Sequence, residues 1–145
     1  MKKFATTGLL ALTLVLSISA SAFAAVYPDN EPNNRRDDAN IFHVADGNQI
    51  NGKLDRNNGD QQDYFKFTPT VNQKVRFQIA YSKANQQEFT LVLNSNYAYS
   101  TTRTKDYFDV DLVAGREYSI RVEGVSYDLD NNNFNYSVYT YVLPN

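Results

Sequence analysis

"KVRFQIAY", residues Lys74 to Tyr81, decides how this chain folds. Val75, Phe77, Ile79 and Tyr81 share one face, with Arg76 and Gln78 on the other. That period of two belongs to a strand with one buried and one wet face, the pattern of an antiparallel sheet. The alternation recurs downstream. In "EFTLVL" Phe89, Leu91 and Leu93 align, and in "YFDVDLV" Phe108, Val110 and Leu112 oppose Asp109 and Asp111. In "EYSIRVEG" Tyr118, Ile120 and Val122 alternate with Ser119, Arg121 and Glu123. In "FNYSVYTYV" Phe134, Tyr136 and Val138 alternate with Asn135 and Ser137. Turn-rich stretches separate them: "DRNNGDQQ", "TPTVNQ", "SKANQQ", "VAGR" and "DLDNNN". Shorter strands near residues 49–54 and 64–68 bring the expected count to about 7–9. No sustained helical stripe follows residue 48, so these one-sided sheets are expected to close as an all-β antiparallel sandwich.

Upstream, "MKKFATTGLLALTLVLSISASAFA" places Lys2 and Lys3 before an apolar run from Leu9 to about Ile18 and a small-x-small ending at Ala22–Ala24. This is the pattern of a secretory signal peptide. The competing reading, a retained anchor, needs about 20 apolar residues where this run has about ten. The expected organisation is therefore a signal peptide over residues 1–24 and a single domain over 25–145, opened by an acidic and amide-rich segment at 25–40. The expected product is secreted, with no membrane span after cleavage.

Removing Lys2 and Lys3 from 14 basic residues leaves 12 against 16 acidic ones. Arg35 and Arg36 are followed at once by Asp37 and Asp38, so no clustered basic face is available and a nucleic-acid partner is not expected. Cysteine is absent. An exported domain without disulfides must be held by its core, by a metal, or by both. All 11 tyrosines and seven of the nine phenylalanines lie beyond the leader, which supplies bulky residues for sheet faces.

The single histidine, His43 in "IFHVADG", and the lack of thiols argue against structural zinc. No serine stands in a nucleophile-elbow context, and Asp109 and Asp111 read as solubilising residues on a polar strand face, so no enzyme is expected. Oxygen-rich segments allow a harder cation. "DNEPNN" offers Asp29, Glu31, Asn33 and Asn34, and "NNGDQQDYF" offers Asp60 and Asp63, against the alternative of a solvated linker. "YDLDNNNF" fails the EF-hand template and reads as a hairpin turn. Tyr97, Tyr99, Tyr127, Tyr139 and Tyr141 are candidates for a ligand-binding aromatic surface, or else cover the ends of the sandwich.

"EPNN" at 31–34, Ala39, "INGKL" at 50–54, "DQQDYFKF" at 60–67 and "VAGREYSIRV" at 113–122 come in an order that resembles the bacterial pre-peptidase C-terminal domain family, which includes the collagen-binding domains of clostridial collagenases. The resemblance spans about Asp29 to Val142. It implies a jelly-roll-like β-sandwich. It also implies calcium, one ion or two, shared between the N-terminal segment and the loop before the D-Y-F strand. On that resemblance Glu31, Asn33 and Asp63 match the motif residues, Asp60 matches an acid of the same loop, and Asp29 matches a further acid. Asn34 stands where calcium-binding members have aspartate, and the tyrosines of the collagen-binding members are not reproduced at Glu123–Val125. The expected function is a secreted, non-catalytic, calcium-stabilised module that binds an extracellular protein or polysaccharide. The alternative is an inhibitor, chaperone or detached pro-domain-like partner of a secreted peptidase.

Overall fold

Strands form where the alternation is strongest. The computed structural model describes residues 24–55, 59–83, 88–125 and 134–144, and for Val125 the backbone alone. Residues 1–23 of the expected leader, Tyr127 and most of "YDLDNNNF" lie outside these. The described residues form ten strands: β1 (Val26–Pro28), β2 (Asn40–Ile41), β3 (Gln49–Lys53), β4 (Gln62–Phe67), β5 (Gln73–Tyr81), β6 (Glu88–Leu93), β7 (Asn96–Ser100), β8 (Tyr107–Leu112), β9 (Tyr118–Val125) and β10 (Asn135–Leu143). One 3-10 turn, Arg36–Asp38, precedes β2.

Two five-stranded sheets result, ordered β1-β3-β10-β5-β8 and β2-β4-β9-β6-β7. The inward faces named above meet between them. Val75, Phe77 and Ile79 of β5, Leu91 and Leu93 of β6, Phe108 of β8, Ile120 and Val122 of β9 and Val138 of β10 are all buried. Aromatic rings link the layers. Phe67 packs on Phe77, Phe42 and Tyr118 at centroid distances of 5.5, 5.0 and 5.5 Å, and Phe89 bridges Tyr81 and Tyr136. Removing such rings from water stabilises the sandwich by about 1.5–3 kcal/mol each.

The sheets are mixed, not purely antiparallel as expected. β1 runs parallel to β3 and β2 runs parallel to β4, while every other pairing is antiparallel. The N-terminal segment causes this, because it lends one short edge strand to each sheet. Between β1 and β2 the chain therefore crosses from one sheet to the other. β7 adds a further edge through a tight turn in which Asn94 and Ser95 take φ of 48° and 56°, the left-handed geometry that suits a two-residue hairpin.

Candidate metal centre

The crossing segment is tied down at both ends before it offers any ligand. Asp29 N–H donates to Asn51 O (3.0 Å) at the edge of the first sheet, and Tyr64 N–H donates to Asn33 O (2.9 Å) at the edge of the second. Asn40 closes the intervening loop: its Oδ1 accepts from Asn30 N–H (2.7 Å) and its Nδ2 donates to Asn30 O (2.9 Å). The Glu31–Pro32 peptide is cis. Gln62 Nε2 donates to Asn34 O (3.1 Å), adding a side-chain tie to β4.

These ties gather three acids from two distant parts of the chain. Asp29, Glu31 and Asp63 bring carboxylate oxygens within 4.8 Å of one another. Asp63 points inward from β4 and is fully buried, as is Asn33 beneath the crossing loop. Asn33 Nδ2 donates to Asp29 Oδ1, and Glu31 Oε2 accepts from Asn33 N–H (3.1 Å). Across the sandwich, the Tyr136 hydroxyl of β10 donates to Asp63 Oδ2. Those bonds use the Asn33 nitrogen and one oxygen of Asp63. Asn33 Oδ1 and Asp63 Oδ1 are left buried with no hydrogen-bond partner.

Electrostatics mark the same place. Burial, reinforced by Asp29, Asp60 and Glu31, pushes the Asp63 carboxyl from 3.8 up to about 9, despite the opposing Tyr136 hydrogen bond. Burial also raises Asp29 and Glu31, and each is raised further by the charge of Asp60. Tyr136 is held well above its ordinary value by burial and by the acids beside it. Carboxylates desolvated next to one another lack a positive charge. The donor set is entirely oxygen, which suits calcium or magnesium and not a thiophilic metal. Two orphaned buried oxygens beside three carboxylates therefore fit a hard divalent cation.

Asp60 and Asn34 stand at the flank of this cluster. Asp60 Oδ2 accepts from Asp55 N–H (2.8 Å), which folds the β3–β4 turn. The Asn34 amide satisfies its neighbours when its nitrogen donates to Gln62 O (3.0 Å) and Asp60 Oδ1 (3.1 Å). Tyr136 and Gly52 were not singled out in the sequence as site residues. A Cβ at Gly52 would lie 2.2 Å from Tyr136 Cζ and Oη, so the bare glycine of "INGKL" makes room for the ring that orients Asp63.

The tyrosine candidates fall on different sheets. Tyr139 and Tyr141 lie on β10 in the first sheet, and Tyr97 and Tyr99 lie on the β7 edge of the second. Tyr97 is held by its hydroxyl, which accepts from Arg121 Nη2 (2.7 Å) and donates to Glu123 Oε1 (3.1 Å). His43 is exposed, its ring edge-on to Tyr27.

No family model matches the chain, and no curated protein matches it. Among solved structures, the pre-peptidase C-terminal domain of a collagenase from Bacillus anthracis aligns with 77% of this chain and 98% of its own length, at 19% identity and a TM-score of 0.51. The chain has the pre-peptidase C-terminal domain fold. The resemblance carried by "EPNN", "INGKL" and "DQQDYFKF" is thus borne out at the level of fold. Aeromonas hydrophila PliG, a periplasmic inhibitor of g-type lysozyme, aligns with 72% of this chain and 99% of its own, at 13% identity and a TM-score of 0.43. Among the described residues, no helix is long and apolar enough to cross a membrane.

Proposed function

We propose that this protein is a secreted, non-catalytic β-sandwich module that is stabilised by calcium and binds an extracellular polymer. The observation that carries the metal reading is the pair of orphaned buried oxygens, Asn33 Oδ1 and Asp63 Oδ1, beside the Asp29, Glu31 and Asp63 carboxylates. Calcium takes six to eight oxygens, so these side chains supply part of the shell and backbone carbonyls or water complete it. A bound cation would offset the mutual repulsion of the acids and fasten the crossing segment to both sheets.

The non-catalytic reading draws on the fold, which in the collagenase neighbour is the pre-peptidase C-terminal domain of a collagenase. That relation also keeps a peptidase partner as the second reading. A pull-down from culture supernatant and from insoluble collagen, chitin and cell wall, with calcium and with chelator, separates them. Retention on a polymer in calcium supports the module. Recovery of a secreted peptidase in place of any polymer supports the second reading.

A further inference from the structure

The outward face of the first sheet carries groups that the metal centre leaves unused. Strand register sets Gln49, Tyr139, Gln78 and Tyr107 in one row across β3, β10, β5 and β8, with Tyr141, Arg76 and Asp109 in the next. Next to Gln49 this face sinks into an open depression of about 550 Å³, whose outward-facing lining includes Asn51 and Ser137.

Two features set this stripe apart from an ordinary solvated sheet face. The rings of Tyr139 and Tyr141 run nearly parallel, 23° apart with centroids at 6.4 Å. Neither hydroxyl has a hydrogen-bond partner among the described residues, whereas on the second sheet Arg121 donates to the hydroxyls of both Tyr64 and Tyr97. The stripe is also electrically balanced. Arg76 donates twice to Asp109, at 2.8 and 3.0 Å, and lies 4.0 Å over the Tyr107 ring. What remains are the two tyrosine hydroxyls and a small cluster at the depression. There Ser137 Oγ donates to Asn51 Oδ1 (2.8 Å), and Gln49 Nε2 donates to Asn51 Oδ1 and to Ser137 Oγ (3.4 Å), which leaves Gln49 Oε1 to accept and Asn51 Nδ2 to donate.

Charge complementarity selects the occupant. The other charges on this face are opposed as well, Lys74 standing opposite Asp111 in the strand register and Lys53 lining the depression beside Asp29, so a charged polymer of either sign gains little here. A protein partner generally buries an interface core with large apolar anchors, and Tyr141 is the main large apolar side chain exposed along these rows. A neutral, hydroxyl-rich chain matches both halves. Its hydroxyls would bond to Gln49 Oε1, Asn51 Nδ2 and the two tyrosine hydroxyls, the groups the cluster leaves over, and its C–H faces would rest on tyrosine, which offers apolar area with a polar tip. We infer that the Gln49–Tyr139–Tyr141 stripe binds a neutral polysaccharide. The inference rests on the reading of the protein as a polymer-binding module.

The test is a depletion assay on microcrystalline cellulose and chitin, with collagen and culture-supernatant proteins as parallel arms. It compares wild type with Tyr139→Ala/Tyr141→Ala, with Gln49→Ala, and with Tyr97→Ala/Tyr99→Ala from the other sheet. Melting curves establish that each variant is folded, and Gln49→Ala, a surface change, keeps the site testable if the double tyrosine variant does not fold. The wild type is expected to bind a neutral polysaccharide with little sensitivity to salt. Loss of the two β10 tyrosines should weaken binding about tenfold or more, Gln49→Ala severalfold, and the Tyr97/Tyr99 change not at all. Binding that depends on Tyr97 and Tyr99 instead overturns the site and leaves the module reading intact. Retention by collagen or a secreted protein alone overturns the polysaccharide assignment, and retention by nothing overturns both readings.

Discussion

Asp63 concentrates the chemistry of the molecule in one side chain. Its carboxyl is raised from 3.8 to about 9 chiefly by burial, so without a cation the folded protein holds a proton there that the unfolded chain releases above about pH 4. Between those values the folded state binds more protons, and stability falls as pH rises. In chelator, the melting temperature should therefore decline from about pH 5 to pH 9 on account of this group, and saturating calcium should flatten the decline. Asp63→Asn keeps an oxygen for the Tyr136 hydroxyl and removes the charge. It should lose both the pH slope assigned to Asp63 and much of the calcium response, measured by melting over that pH range. Gly52→Ala should act on the same carboxylate from a distance. Its Cβ would collide with the Tyr136 ring, and overpacking of this kind costs about 1–3 kcal/mol, so a lower urea midpoint should accompany weaker cation binding. The acids themselves were legible in "DNEPNN" and "DQQDYF", since oxygen-rich segments advertise hard-cation chemistry. Tyr136 was legible only as an inward strand position, because the partner of an inward hydroxyl is set by the facing sheet.

At the scale of elements, the long strands followed directly from alternation, because a one-sided sheet writes burial into every second residue. β1 and β2 did not, for a physical reason. Strands of three and two residues are too short to show a period, and their parallel pairing comes from tertiary ties such as Asp29 N–H to Asn51 O. β7 was also missed, since its residues are largely exposed and show no inward face. Those edge elements depend on polar pins. Asn48 is buried, with Nδ2 donating to His43 O (2.8 Å) and Oδ1 accepting from Ala25 N–H (2.8 Å). Asn48→Ala would remove both bonds and orphan their partners, at about 1–3 kcal/mol. Amide hydrogen exchange should show the loss first at β1 and at residues 43–48. Phe42, in the loop after β2, packs its ring against Phe65 and Phe67. Phe42→Ala should cost about 3–5 kcal/mol in denaturant unfolding, the scale of a core strand residue despite its loop address.

For the whole molecule, the absence of cysteine gives the crossing segment its importance. One chain segment edges both sheets, and the acids it brings to Asp63 repel one another unless something positive sits among them. A cation that binds only the folded state adds about 2.7 kcal/mol at a hundredfold excess over its dissociation constant. In a domain of this size that corresponds to a rise on the order of ten degrees in melting temperature. The direct measurement is thermal unfolding in excess calcium and in chelator, for the wild type and for Glu31→Gln/Asp63→Asn. A rise of that order in the wild type, absent from the double variant, is the predicted result. Identical melting of the wild type in both conditions, or a full shift retained by the double variant, would contradict an ion holding the N-terminal segment onto the sandwich.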